Sequence, residues 1–199
     1  EFDGVRARGE QRAGSFNRGR DALAEGEKRH VGNDEFFGRA TGAHAVKLEG
    51  VDGHEDVVRH LFQSGIPVMG HLGMQPQSVQ AYGGFKPQGR DDAAAAEIER
   101  QAAVIEQLGA FAVVLECIPA PLAARITSAL HIPTIGIGAG AACDGQVLVL
   151  QDLLGLNTDF RPRFARAFCN AAGTVLDALN GFDAAVKSQS FPTPEESYT

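Results

Sequence analysis

Short apolar runs alternate with amphipathic stretches of helical period along the chain from Gly42 onward. The runs are rich in Val, Ile and Leu and are short enough for strands, whereas the stretches between them repeat apolar residues at helical spacing. Strands that are apolar on both faces and alternate with helices pair in parallel, through right-handed crossovers. The pattern therefore predicts an α/β fold with strands at Ala45–Glu49, Ile66–Gly70, Phe111–Cys117, Pro133–Gly138 and Gln146–Leu150.

Four helices are predicted between and after these strands. One ends near Ser64, one runs from about Asp92 to Leu108, and one opens at Pro119 or Pro121, because proline is tolerated in a first helical turn. A long helix is predicted at Arg163–Leu179. Its apolar side is formed by Phe164, Ala167, Phe168, Ala171, Val175 and Leu179.

Residues 1–40 have a different texture, rich in Gly and Arg with scattered apolar positions. Such a stretch buries little apolar surface to offset the entropy of ordering it. We therefore predict a poorly ordered segment at 1–40 and one α/β domain at 41–199.

Composition and charge argue against some classes of protein. A length of 199 residues suits one domain, and a net charge of −7 argues against nucleic acid or an anionic membrane as the main partner. No apolar run reaches the roughly 18 residues that a membrane span needs. The three cysteines form no CxxC pair, which favours reduced thiols in a cytoplasmic protein.

Polar residues that could take part in catalysis or ligand binding lie where three of the predicted strands end. Lys47 and Glu49 lie two residues apart on one strand, so they share a face of the sheet. They are either a structural ion pair or a functional pair, in which the carboxylate holds a hard cation and the ammonium polarises a carbonyl. His71 follows the next strand and either stabilises the loop or relays a proton. Glu116 interrupts an apolar run, which suits a general base, although a helix-capping or ion-paired glutamate is the alternative.

Two loops leave further alternatives open. Gly136–Ala141 matches the glycine fingerprint of dinucleotide-binding sites, but a lone match is a weak indication of nucleotide binding. Lys86 and Arg90 belong to a Gly-rich loop that is either a solvated connection or a lid whose basic groups meet an anionic substrate.

Taken together, five segments in this order resemble ketopantoate hydroxymethyltransferases. They are AVKLEG, PVMGHLGMQPQSVQAYGGFKPQGR, VVLECIP, IPTIGIGAGAACDGQVLVLQDLLGL and the helix that follows. The resemblance implies a (β/α)8 TIM barrel, of which this chain would supply about the last five βα units and the C-terminal helix. It also implies a homo-oligomer, commonly a ring of ten subunits.

The reaction implied by the resemblance moves a hydroxymethyl group from 5,10-methylenetetrahydrofolate to 3-methyl-2-oxobutanoate, giving 2-dehydropantoate for pantothenate synthesis. By the same resemblance Glu116 is the catalytic acid/base, Lys47 and His71 bind the keto acid, and Glu49 contacts a Mg²⁺ ion.

The resemblance is incomplete. Three βα units precede the lysine-containing strand in the family and carry two magnesium-binding aspartates, and we found no counterpart to them in residues 1–40. No metal role is transferred to Asp3, Asp21 or Asp34. The sequence therefore also admits a catalytically inactive fragment that retains some ligand binding.

Overall fold

The computed structural model describes residues 43–78, 84 and 86–198. The predicted lack of order at 1–40 lies outside the described residues. The chain divides into two compact units, with the boundary between Val147 and Leu148.

The first unit is built on a parallel sheet whose strands stand side by side in chain order, β1-β2-β3-β4-β5. A doubly wound sheet reverses its strand order at a switch point, whereas a (β/α)8 barrel adds each strand beside the last. The observed order is therefore that of an arc of a barrel. The strands are β1 Val46–Glu49, β2 Val68–Gly73, β3 Ala112–Glu116, β4 Thr134–Ile137 and β5 Gly145–Gln146.

Helices follow the first three strands and cover one face of the sheet: α1 Glu55–Gln63, α2 Asp92–Gln107 and α3 Ala120–Ala129. In α2, Ala95, Ile98, Ala102 and Ile105 are buried at spacings of three and four residues, which is one side of a helix. This side packs into a core with buried strand residues such as Val113 and Leu115. The predictions for these helices and for the first four strands are confirmed within about three residues. The largest difference is at β2, which continues to Gly73, so His71 lies within the strand rather than after it.

The prediction of a fifth strand at Gln146–Leu150 is largely wrong. β5 is only two residues long, and Leu150 begins a short helix, α4 Leu150–Leu154. Val149 and Leu150 are exposed in the structure. These two apolar side chains are therefore not buried inside a sheet.

The last helix also begins later than predicted. It is α5, Ala171–Lys187, and the side chain of Asn170 accepts a hydrogen bond from the Gly173 N–H at its first turn. Before it, the Phe168 N–H donates to the carbonyl of Leu153, so this part of the chain is bonded to α4 rather than wound into α5. The predicted apolar side is exposed, with Val175 at 51% and Leu179 at 61%.

Across the described residues, no helix combines the length and the apolar character that a membrane span requires.

Candidate active site

Four polar residues project from one face of the sheet at the carboxyl ends of β1, β2 and β3. In the parallel register Glu49 is opposite His71, and Gly73 is opposite Glu116. Because side chains alternate along a strand, Lys47 shares the face of Glu49, and Glu116 shares the face of His71. Strand geometry alone therefore brings all four predicted site residues together.

His71 is the centre of this group and is only 1% exposed. Its Nε2 lies 3.0 Å from Oε2 of Glu116, and its Nδ1 lies 3.4 Å from Nζ of Lys47. Oε1 of Glu49 is farther from Nδ1, at 3.7 Å. Two carboxylates and one ammonium thus surround a single buried imidazole, an arrangement that can hold or move a proton.

The contact between His71 and Glu116 is short, but it is not a well-formed hydrogen bond. The distance is in the usual range, yet Nε2 has no partner with acceptable hydrogen-bond geometry among the described residues. A hydrogen bond between them would require the carboxylate to move into line with the ring N–H.

The carboxylate of Glu49 is held by backbone. Its Oε2 accepts a hydrogen bond of 3.2 Å from the N–H of Gln77, which lies in a 3₁₀ turn just after β2. Sequence reasoning did not single out Gln77, because a backbone donor leaves no residue-type signal. The one indication for this segment was its place in the family-like stretch PVMGHLGMQPQSVQAYGGFKPQGR.

Gly73 sets the close approach of β2 and β3 beside the site. Its φ is +91°, and a Cβ atom there would lie 2.1 Å from the carbonyl oxygen of Glu116. That same oxygen accepts a hydrogen bond of 2.8 Å from the N–H of Met74. A side chain at position 73 would therefore displace the backbone that carries Glu116.

A cavity of about 400 Å³ opens beside Glu49, between the end of β1 and the side of α2. Asp52 and Glu97 also line it. Hydrogen bonds from Arg100 and Gln101 lower the pKa of the Glu97 carboxyl to about 2, so this carboxyl stays ionised at neutral pH. The volume is within the range of small-molecule sites, and the wall near Glu49 is polar.

Cys117 follows Glu116 directly but is a poor nucleophile. Burial, and then the nearby charge of Glu116, raise the pKa of its thiol to about 11. The thiolate is the reactive form, so little of it exists at neutral pH. All three cysteines of the chain are free thiols in the structure, as predicted.

The alternatives for the individual residues can now be compared with the structure. Within the described residues Lys47 makes no ion pair with Glu49, and its ammonium faces His71 instead. Glu116 does not cap a helix, since Pro119 is the N-cap residue of α3. The glycine loop after β4 leads straight into β5, whereas a dinucleotide site needs a helix N-terminus there.

The two basic residues of the Gly-rich loop form no ion pair with the described site residues. Lys86 and Arg90 are exposed, and neither makes an ion pair with another described residue. The choice between a solvated loop and a lid depends in part on residues 79–83 and 85, which lie outside the described residues.

The described side chains supply only part of a Mg²⁺ site. No group of three or more His, Cys, Asp or Glu side chains among the described residues is arranged to hold a metal ion. Mg²⁺ is often bound by one or two carboxylates together with water and substrate oxygens. Glu49 alone therefore fits as one contributor to such a site, and the described side chains do not complete it.

Comparison with known proteins gives a consistent result. A sequence model of the family described as "Ketopantoate hydroxymethyltransferase" matches residues 23–194. A protein named 3-methyl-2-oxobutanoate hydroxymethyltransferase from Bdellovibrio bacteriovorus is 56% identical over 158 residues, which are 79% of this chain and 60% of that protein. The proteins of the same name from Francisella tularensis and Syntrophus aciditrophicus are 51% and 52% identical, over 79% and 84% of this chain and 60% and 62% of their own lengths.

The chain thus spans about 60% of the length of the curated relatives it matches. The family match begins within residues 1–40, where we had found no resemblance, and it includes all four predicted site residues.

Proposed function

We propose, from the premise that this chain belongs to the ketopantoate hydroxymethyltransferase family of (β/α)8-barrel enzymes, that it transfers a hydroxymethyl group to 3-methyl-2-oxobutanoate. The product is 2-dehydropantoate, and 5,10-methylenetetrahydrofolate is the proposed one-carbon donor, with water supplying the hydroxyl oxygen. The observation that carries the proposal is the convergence of Lys47, His71 and Glu116 at the carboxyl ends of three adjacent strands. Barrel enzymes build their active sites at this end of the sheet.

The first chemical step is removal of the C3 proton of the keto acid. We assign it to Glu116, whose carboxylate is mostly buried and lies at the end of an otherwise apolar strand. A carboxylate is a common general base when it lies within reach of the proton that it removes. The electron pair left at C3 then forms the new C–C bond to the one-carbon unit. The two bonds from that carbon to the folate nitrogens break and a bond to the water oxygen forms. Tetrahydrofolate leaves, and its two nitrogens take up the C3 proton and one proton of the water.

Lys47 is the proposed contact for the negatively charged oxygens of the keto acid. Its ammonium lies 3.4 Å from Nδ1 of His71, and the side chain remains accessible to a ligand. An ammonium at this position would favour the anionic substrate and the negative charge that develops on the keto oxygen.

Glu49 is the proposed protein contact for Mg²⁺, as one ligand of a set that includes groups beyond the described side chains. A bound Mg²⁺ would polarise the keto carbonyl as a Lewis acid. The backbone N–H of Gln77 holds one oxygen of Glu49 and leaves Oε1 available on the His71 side.

The same membership supports two further proposals: a cytoplasmic location and a homo-oligomer, with a ring of ten as the expected size. Analytical ultracentrifugation tests the second. A monomer at micromolar concentration would contradict it.

Proton exchange at C3 tests the proposed function most directly. The purified chain, 3-methyl-2-oxobutanoate and Mg²⁺ are combined in D2O, and one-dimensional proton NMR follows the loss of the C3 signal. We expect exchange above a protein-free control, abolished by EDTA. Glu116→Gln should lower its rate about 100- to 10,000-fold, because the amide cannot accept the proton.

Glu99→Gln is the matched control, since it makes the same change in an exposed ion pair with Arg125. It should leave the exchange rate unchanged. Background exchange from a chain with well-dispersed methyl signals would contradict the proposal. Saturation-transfer NMR with the keto acid would then show whether the chain is a non-catalytic binding protein.

A further inference from the structure

Cys117, directly after Glu116, has an unusual backbone conformation. Its φ is +50°, in the left-handed region that residues with a Cβ atom rarely adopt. Among the described residues other than glycine, Gln189 alone shares a positive φ. Gln189 follows Ser188, the C-cap residue of α5, and a left-handed residue is a common helix ending. Cys117 instead lies between β3 and α3, so its conformation needs a different explanation.

Two backbone hydrogen bonds hold Cys117 in this conformation. Its N–H donates to the carbonyl of Ile137 at 2.8 Å, and its carbonyl accepts from the N–H of Gln88 at 3.0 Å. The first bond extends the pairing of β3 with β4 beyond Glu116, which is opposite Ile137. With the N–H held there, rotating φ to a negative value would swing the Cys117 carbonyl away from Gln88. The neighbouring segments therefore maintain a conformation that the residue type disfavours.

The N–H of Gln88 is held in place by the residue that follows it. Gly89 is buried, and a Cβ atom there would lie 2.6 Å from Cδ2 of Leu122 and 2.9 Å from Cδ1 of Ile98. The loop therefore packs closely against α2 and α3. If Gln88 moved to follow the Cys117 carbonyl, this packing would be displaced.

The peptide group between Glu116 and Cys117 is bonded on both sides. Its carbonyl accepts from the N–H of Met74 at 2.8 Å, and its N–H is the donor to Ile137. The side chain of Glu116 leaves the Cα atom at one end of this planar group, and the φ of Cys117 is the rotation at the other end. A change of backbone at Cys117 would therefore reach the Glu116 carboxylate through a single rigid plane.

We propose that Cys117 is a positioning residue for Glu116. Its left-handed backbone fixes the peptide plane that orients the Glu116 carboxylate, and its thiol takes no part. The conformation rests on geometry alone, whereas the role in catalysis also rests on the proposed function. Strained residues that their neighbours maintain are concentrated at active sites, where a side chain must keep one orientation.

Replacement by glycine and by alanine tests the conformation without any need for activity. At an ordinary φ alanine gives the more stable protein, whereas at a positive φ glycine does, because it has no Cβ atom. We expect the Tm of Cys117→Gly to be about 2 to 4 °C above that of Cys117→Ala, in thermal unfolding followed by circular dichroism.

The same two changes at Cys143 are the matched control, since Cys143 is also half-buried and does not have a positive φ. There the alanine variant should have the higher Tm. A Tm of Cys117→Ala equal to or above that of Cys117→Gly would overturn the assigned conformation.

The kinetics of C3 exchange test the positioning role. Cys117→Gly can keep the backbone and should retain kcat within about threefold. Cys117→Val should lower kcat about 10- to 100-fold with the KM for the keto acid within about twofold, because a branched side chain disfavours a positive φ and a displaced base is a slow one. Methyl signals from the same samples give the folded fraction, to which each kcat is normalised.

Cys117→Ala decides the question if the valine variant does not fold, and its kcat should be about 3- to 10-fold below that of Cys117→Gly. Cys169→Val makes the valine change at an exposed cysteine and should leave kcat unchanged. Equal kcat values for Cys117→Gly and Cys117→Ala, or a change in KM alone, would contradict the positioning role. A glycine variant as slow as the valine variant would contradict it too, because the thiol would then be required.

These outcomes separate the two proposals. If the unaltered chain catalyses no exchange but glycine is more stable than alanine at position 117, the proposed function fails and the conformation of Cys117 stands. If exchange is present and kcat does not depend on the residue at position 117, the proposed function stands and the positioning role fails.

Discussion

Both compact units contain apolar residues at helical spacing, but the long helix of the first unit buries them and the long helix of the second does not. In the unit that ends at Val147, the apolar side of α2 is covered by the strands it packs against. In the unit that begins at Leu148, the 17-residue helix α5 has no buried residue. Large apolar side chains nevertheless lie along it: Val175, Leu176, Leu179, Phe182 and Val186.

The difference shows what an amphipathic pattern specifies. It identifies which side of a helix is suited to burial, but burial itself needs a second apolar surface at the right place. The strands provide that surface for α2, whereas no residue of α5 is buried.

Removing a large apolar side chain should affect the two units very differently. Leu115 in β3 is 0% exposed, and Leu115→Ala should lower the free energy of unfolding by about 2 to 5 kcal/mol, through lost burial and the cavity left behind. Leu179→Ala should change it by less than about 0.5 kcal/mol, since Leu179 is 61% exposed. Urea unfolding followed by circular dichroism measures both. Equal losses would mean that Leu179 is covered in solution.

Adding a methyl group to a glycine should lower the stability of the protein in the first unit and raise it in the second. Gly73→Ala places a Cβ against the Glu116 carbonyl at a positive φ and should destabilise the fold by about 2 to 4 kcal/mol. Gly181 lies within α5 with nothing within 4 Å of its Cβ position. Gly181→Ala should therefore stabilise it by about 0.5 to 1 kcal/mol. Thermal unfolding reports both signs, and a neutral Gly73→Ala would contradict the strand spacing.

The N-terminal caps of the two long helices provide a finer comparison. Asp91 accepts a hydrogen bond of 2.8 Å from the Ala94 N–H, and Asn170 accepts one of 3.3 Å from the Gly173 N–H. Each change to alanine should cost about 1 kcal/mol, with the larger loss for Asp91, whose carboxylate also favours the helix dipole. Chemical denaturation resolves the two values. A larger loss for Asn170→Ala would reverse the order.

Thiol labelling compares the units without altering the fold. Because the pKa of Cys117 is raised to about 11, its thiolate fraction at pH 8 is about one thousandth. Its alkylation rate should therefore rise about tenfold for each pH unit, and level off only near pH 11. The exposed Cys169 should be labelled first at pH 8. Peptide mass spectrometry after iodoacetamide treatment distinguishes the sites, and a Cys117 rate that levels off below pH 9 would contradict the raised pKa.

Most of the site was predictable because the spacing of residues along a strand decides which face of the sheet their side chains share. Lys47 and Glu49 are two residues apart on a strand, so alternation alone puts them on one face. Glu116 ends an apolar run, which predicts its place at the carboxyl end of a strand, but the register between strands decides its face. The cavity beside Glu49 and the backbone donor of Gln77 were not predictable, since they depend on the path of the loop after β2. The error at Val147–Leu150 has a similar origin, because an apolar run does not show how far a strand continues along its neighbour.

The sequence by itself determined the α/β class, the approximate positions of four strands and three helices, and the four residues that carry the proposed chemistry. Local periodicity and side-chain type are sufficient for these, because both are properties of short segments. Only the tertiary structure decided that the imidazole of His71 lies between Lys47 and Glu116, that Gly73 brings two backbones together, and that no residue of α5 is buried. Each of these depends on distances between segments that are far apart in the chain, and such distances are set by packing.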